Sequence, residues 1–258
     1  DNIKYFTTSK DNKKAAYIVN RYRVVNDYND IYTDWYFIND YKSTYGTKFN
    51  SSELYSWKLI LLDNNDIYAY STDTYFEKNN LYKVVKVNSI SSTLEKIYGD
   101  HNGMSFLINN NNVVLSIFTG EGLKLYTKKD FSTLERFTDK DLTTTKLSTL
   151  ANKCAISNDI VNPLIICAVP KEINSYDYGL PDAWYQGATT FDDDLYVINN
   201  FHPDGDLLFN IQDDSIYFDI IDAKNLSFND EVSHLIFINK NDASLWSLNV
   251  YNILYKEL

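Results

Sequence analysis

The sequence predicts an all-β chain folded as one β-propeller, with five blades, six also fitting its length, and three observations predict it. Tyr is abundant at 22 residues while Gly and Pro number only 8 and 4, a balance of strand formers with turns left to Asn and Asp. A hairpin-like pattern of apolar run, short polar stretch and second apolar run recurs along the chain. Its copies are spaced as the blades of a propeller are spaced.

The first strong copy is LILLDNNDIYAY, Leu59 to Tyr70. Its centre, Asp63-Asn64-Asn65-Asp66, puts four oxygen-bearing side chains in a row, which suits either a calcium loop or a turn. The other copies favour the turn. SFLINNNNVVLSIF at Ser105 to Phe118 and LIFINKNDASLWSL at Leu235 to Leu248 put NNNN and NKND in the same place, and Asn tolerates the positive φ that hairpin loops require. DNND also lacks the alternating acids, central Gly and distal Glu of an EF-hand loop. A fourth copy, LYVINNFHPDGDLLF from Leu195, has a longer loop closed by Pro203-Asp204-Gly205, and a looser fifth, YIVNRYRVV, begins at Tyr17. Starts at 17, 59, 105, 195 and 235 are separated by 42, 46, 90 and 40 residues. One start expected near residue 150 has no clean hairpin. The only helical stretch expected is within DKDLTTTKLSTLANK, residues 139–153, where Thr weakens the propensity.

A chain of 258 residues with 44% hydrophobic content can bury a sizeable core. We read residues 1–258 as a single propeller domain and, from the absence of an initiator Met or signal core, as part of a longer chain. The formal charge of -11 and the lack of a Lys/Arg cluster argue against nucleic acid and anionic membranes as partners. RYR at 21–23 and the Lys pairs at 13–14 and 128–129 read as solvated faces. Cys154 and Cys167 are too few for a disulfide framework and lack CxxC spacing; a single bridge between them stays open, and Cys167 in PLIICAV reads as a core residue.

His101, His202 and His234 form no HExxH or triad signature, and GEG at 120–122 precedes a strand rather than a phosphate-cradling helix, so no metal or cofactor is expected. Paired carboxylates for glycoside hydrolysis are the enzymatic alternative, with Asp34, Asp192, Asp193 and Asp194 as conceivable members among 35 acidic residues. Sugar binding instead needs Trp or Tyr to stack on the ring and Asn, Asp or Gln to meet hydroxyls. DWYF at 34–37, SYDYG at 175–179 and DAWYQG at 182–187 combine such residues. DAWYQG is bracketed by Gly179, Pro181 and Gly187, which places its aromatics in a loop.

WYQGATTFDDDLYVIN, Trp184 to Asn199, resembles a blade opening in the β-propeller domains of phage receptor-binding tail proteins and related teichoic-acid-biosynthesis-type propellers, through Gln186, Gly187, Asp192 and the strand Leu195-Tyr196-Val197-Ile198. GLKLYTKKDFSTLERF at 122–137 resembles the outer-strand pattern of sugar-related propellers, including arabinanase-like glycosidases. The phage resemblance implies a non-enzymatic, homo-oligomeric virion or extracellular component. It would contact other structural proteins of the virion and bind a cell-wall glycopolymer or surface glycan; the aromatic and amide side chains of the Gly/Pro-bracketed loop make Trp184, Tyr185 and Gln186, with Asp192 beside them, the expected binding residues. A glycoside hydrolase or lyase on the same fold, or an assembly scaffold, are the alternatives.

Overall fold

The computed structural model describes residues 3–9, 12–25, 28–40, 42–43, 45–52, 57–62, 66–71, 78–86, 92–109, 112–129, 136–159, 163–173, 179–210 and 220–251. Nineteen strands among them form five antiparallel sheets, each made of strands consecutive in the chain. Sheet one contains β1 (Ile3–Thr8), β2 (Ala15–Val25), β3 (Tyr28–Ile38) and β4 (Thr47–Ser52). Sheet two contains β5 (Trp57–Leu61), β6 (Ile67–Ser71), β7 (Lys78–Lys86) and β8 (Ser92–Asn102). Sheet three follows with β9 (Ser105–Asn109), β10 (Asn112–Thr119), β11 (Gly122–Lys128) and the short β12 (Thr143–Thr144). Sheet four has β13 (Cys154–Ile156), β14 (Ile165–Pro170), β15 (Asp193–Ile198) and β16 (Asp206–Phe209), and sheet five has β17 (Ala223–Phe228), β18 (His234–Asn239) and β19 (Leu245–Asn249).

All five recurring segments lie on strands, and four are hairpins in full: β5–β6, β9–β10, β15–β16 and β18–β19. In the first, the Leu62 N–H donates to the Asp66 carbonyl at 2.9 Å, and the expected turn at 63–65 lies outside the described residues. The copies occupy different places in their sheets, however. Leu59 and Ser105 are on first strands, Tyr17 and Leu235 on second strands and Leu195 on a third. The missing start near residue 150 is β13, whose hairpin partner β14 begins only at Ile165.

The chain divides into two compact units. The first, Asp1–Thr72 with Asn79–Asp100 and Leu134–Phe137, holds sheet one and most of sheet two. Ala16, Ile18, Trp35 and Phe49 of sheet one pack there on Trp57, Leu59, Ile67 and Val84 of sheet two. Trp35 meets Phe49 and Trp57 edge-on at 6.1 and 5.2 Å, and Trp57 meets Tyr82 at 5.7 Å. Such pairs contribute about 0.5–1.5 kcal/mol each beyond their buried area. Both indoles keep a partner: Trp35 Nε1 donates to Thr33 and Trp57 Nε1 to Ser52.

The second unit, Asp73–Lys78 with His101–Thr133 and Thr138–Leu258, holds sheets three, four and five. β13 and β14 read CAI and IICAVP, buried at every position, because sheet four packs against sheet three through one set of side chains and against sheet five through another, so no polar alternation is needed. Val114 and Leu125 of sheet three meet Ile165 and Val169 of sheet four, and Ala168 and Leu195 of sheet four meet Leu226 and Phe237 of sheet five. β11, lying nearer a sheet edge, alternates buried and half-buried positions along GLKLYTK.

Residues 139–153 are not an α-helix. They form 3-10 turns at Asp139–Asp141 and Ala151–Lys153 around β12, because β-branched Thr143 to Thr145 favour extended backbone. An α-helical turn, α1 (Asp182–Tyr185), lies instead in DAWYQG, following the cis Leu180-Pro181 bond. Cys154 and Cys167 are cross-strand partners on β13 and β14, both buried, and they form a disulfide with Cα atoms 4.0 Å apart.

Candidate functional site

Two features of the second unit merit attention as sites: a buried charge cluster beside α1 and an open cleft between sheets three and four. The cluster starts at the 3-10 turn Ala151–Lys153. The Ala151 N–H donates to the Ser105 and Ser116 hydroxyls at 3.2 and 3.1 Å, seating the turn on β9 and β10. That seat directs Lys153 inward, where its side chain exposes no surface. Its Nζ lies 2.7 Å from Asp193 Oδ2 and 2.5 Å from Asp222 Oδ1, and both carboxylates are also fully buried.

Asp222 is the better satisfied acid. It accepts from Trp184 Nε1 at 2.9 Å and from the Phe191 N–H at 3.2 Å, with Lys240 Nζ 3.8 Å away. Asp193 accepts from the Ala223 N–H at 2.8 Å, but its Oδ1 has no hydrogen-bond donor among the described residues. Burial pushes the Asp193 carboxyl up to about 6, against the opposing pull of Lys153. Burial also lowers Lys240, with the Asp222 charge working the other way. The Trp184 ring lies between the two cations, 4.9 Å from Lys153 Nζ and 4.8 Å from Lys240 Nζ.

Trp184 is therefore a packing residue. At 4% exposed, it offers no face on which a sugar from solvent could stack. Its neighbours differ: Tyr185 is 39% exposed and its hydroxyl accepts from Asn152, while Gln186 is exposed. Asp192 lies apart from the α1 side chains, half-buried and 3.3 Å from Lys171 Nζ, which also approaches Asp194 at 3.5 Å. α1 thus brings Trp184 and Tyr185 together at 5.2 Å between ring centroids and directs them to different environments.

Asp34 belongs to the first unit and is a buried ion-pair centre. It binds Lys48 Nζ at 2.6 Å, Arg21 Nε at 3.4 Å and the Ser51 hydroxyl. Burial opposes its ionisation, yet the hydrogen bonds from Lys48 and Ser51 and the charges of Lys48 and Arg21 outweigh it and hold the carboxyl below its ordinary value. Next to it, Tyr36 stacks on Tyr17 at 5.1 Å and accepts from Arg21. In SYDYG only Gly179 lies among the described residues.

The cleft measures about 340 Å³. Its apolar lining comes from Pro163, Ile165, Ile198 and Pro203, and its polar lining from Thr127, Lys129, Asp141, Thr143 and Asn199. Strand ends, loops and the 3-10 turn Asp139–Asp141 supply them. Asp141 is fixed as a cap, accepting from the Thr138 N–H at 2.8 Å, a bond that lowers its pKa. Asn199 is fixed too: its Oδ1 accepts from the N–H groups of Phe201 and His202, each at 2.8 Å. Alternating hydroxyl, amide and charged groups beside proline and isoleucine can serve a ligand that carries both hydroxyls and C–H faces. In sequence Lys129 belongs to a solvated Lys pair and Asn199 to a hairpin; only the meeting of sheets three and four joins them.

No family model matches the chain, and no curated protein matches it either. Among solved structures it is similar to the hydrazine synthase of Kuenenia stuttgartiensis, with a TM-score of 0.55 at 10% identity over 98% of this chain and 66% of that one. The chain thus spans just under two thirds of that protein's length. Weaker likenesses are to the complex of KlAtg21 with the coiled coil of AgAtg16, with a TM-score of 0.48 at 8% identity over 96% of this chain and 65% of that one, and to a GH43 β1,3-galactosidase, with a TM-score of 0.42 at 9% identity over 92% and 54%. At such identities likeness concerns the fold alone. The chain is an all-β protein whose described strands form five antiparallel sheets in succession.

Proposed function

We propose that the five sheets are the blades of a five-bladed propeller, and that the chain is a non-enzymatic recognition domain binding a cell-wall polymer or surface glycan. The observation behind this reading is the cleft between sheets three and four. Thr127, Thr143, Asn199 and Asp141 supply partners for hydroxyls, and Pro163, Ile165 and Pro203 supply apolar surface for the ring. A role as a tail-fibre or comparable surface-binding component follows from the resemblance of the segment Trp184 to Asn199. The bridge between Cys154 and Cys167 supports a virion or extracellular location, where disulfides persist. An oligomer would multiply weak glycan contacts by avidity.

A hydrolase needs two carboxylates that reach the substrate. Asp193 and Asp222 approach a common lysine but expose no surface, which favours recognition over hydrolysis. The test is to incubate the purified protein with isolated bacterial cell walls, with and without their glycopolymers, and to measure protein retained and sugar released. Retention that depends on the polymer, without release, is the expected result; release of sugar would overturn the non-enzymatic reading.

A further inference from the structure

Between the two cleft residues Asn199 and Pro203 stands Phe201, 80% exposed. Its loop is fastened along its length. Asn199 ties the Phe201 and His202 N–H groups, and Lys129 donates to Asn200. Asp204 accepts the Lys146 N–H at 2.9 Å through its carbonyl and pairs with Lys146 Nζ at 2.7 Å through its carboxylate. Gly205, at φ +94, lies so close to Leu147 that a Cβ would come within 2.7 Å of it.

A loop so constrained has already lost its conformational freedom, yet its largest apolar side chain stays 80% exposed and gains little burial from folding. A ring held out in this way is preorganised to bind, because covering it costs little further ordering. Its neighbours in the loop, Asn199, Asn200, His202 and Asp204, are polar, and the cleft beyond them mixes polar with apolar groups, which suits a saccharide better than a broad apolar protein interface. Resting on the recognition reading above, we infer that Phe201 is the platform on which a sugar ring stacks, while the cleft meets the hydroxyls.

The experiment compares the wild-type protein with Phe201→Ala and Phe201→Trp, using isolated walls that carry their glycopolymer as the probe. Thermal unfolding of each variant confirms the fold, which an exposed ring leaves intact. Expected are at least fivefold weaker retention for Phe201→Ala, retention near wild type for Phe201→Trp, and a blue shift of its added indole emission when wall polymer is present. Wild-type retention with an unchanged Phe201→Ala would overturn the stacking role and leave the recognition reading in place. Failure of the wild type itself to bind would overturn both. Loss of self-association in Phe201→Ala, seen by sedimentation without change in wall binding, would assign the ring to a contact between copies and also overturn the inference.

Discussion

Lys153 and Asp222 meet at 2.5 Å with neither side chain exposing any surface, and they come from positions 69 residues apart in the chain. Asp222 there also binds the indole N–H of Trp184, so one carboxylate joins the 3-10 turn before sheet four, α1 and the approach to sheet five.

Breaking this contact from either side will leave buried charge uncompensated. Lys153→Met and Asp222→Ala are each expected to lower unfolding free energy by about 3–5 kcal/mol, the range for one lost partner of a buried pair. Urea unfolding followed by circular dichroism will measure it; a loss below about 1 kcal/mol would mean that water reaches the cluster.

The pH dependence should carry the signature of Asp193. Its carboxyl titrates near 6 in the fold against 3.8 for the ordinary value, so the native state binds the extra proton. The associated stability is fully present below 3.8 and is lost as pH rises through about 6, a difference of up to about 3 kcal/mol. Asp34 works in the opposite sense: its depressed carboxyl contributes stability that disappears as pH falls below its ordinary range. Denaturation at a series of pH values should show stability rising from pH 7 to about 5 and falling further into acid, and Asp193→Asn should remove the rise.

Trp184 and Tyr185 are adjacent in sequence but should respond differently to truncation. Trp184→Ala empties a buried site and deprives Asp222 of a donor, at a cost of about 3–5 kcal/mol. Tyr185→Ala, at a 39% exposed position, should cost no more than about 1 kcal/mol. Equal losses in thermal or urea unfolding would contradict the assignment of Trp184 to the core.

The hairpins were legible in the sequence because a half-buried strand alternates and an Asn-rich loop closes it; β5–β6, β9–β10 and β18–β19 were placed on that signal. Their position within each sheet was not, since first, second and third strands can all present the same apolar run and turn. The bracketing Gly and Pro of DAWYQG point to a loop, where the structure has the helical turn α1, and its Trp cannot be told from a solvent-facing one without knowing where Asp222 lies. Lys153 was invisible for a related reason. A lysine reads as surface unless its partners are known, and residues 193 and 222 reach it only through the packing of sheets four and five.

The disulfide offers a separate test, since Cys154 and Cys167 lie 13 residues apart in the chain. Closing a loop of that size restricts the unfolded chain by about 3 kcal/mol in the entropic model. Unfolding in reductant, or of Cys154→Ala/Cys167→Ala, should show a loss of about 2–3 kcal/mol; no change would mean that the two thiols contribute through packing alone.

Each sheet is assembled from strands that follow one another in the chain, and this has a kinetic consequence. Pairing a strand with its immediate successor closes a short loop, so little entropy is lost before native contacts form. During synthesis, sheet one needs nothing beyond Ser52 and sheet two nothing beyond Asn102 for their backbone ladders, so ordering can keep pace with elongation. The charged trio is completed on a later schedule: Lys153 can meet Asp193 once sheet four is made, but its second carboxylate, Asp222, emerges only as sheet five begins.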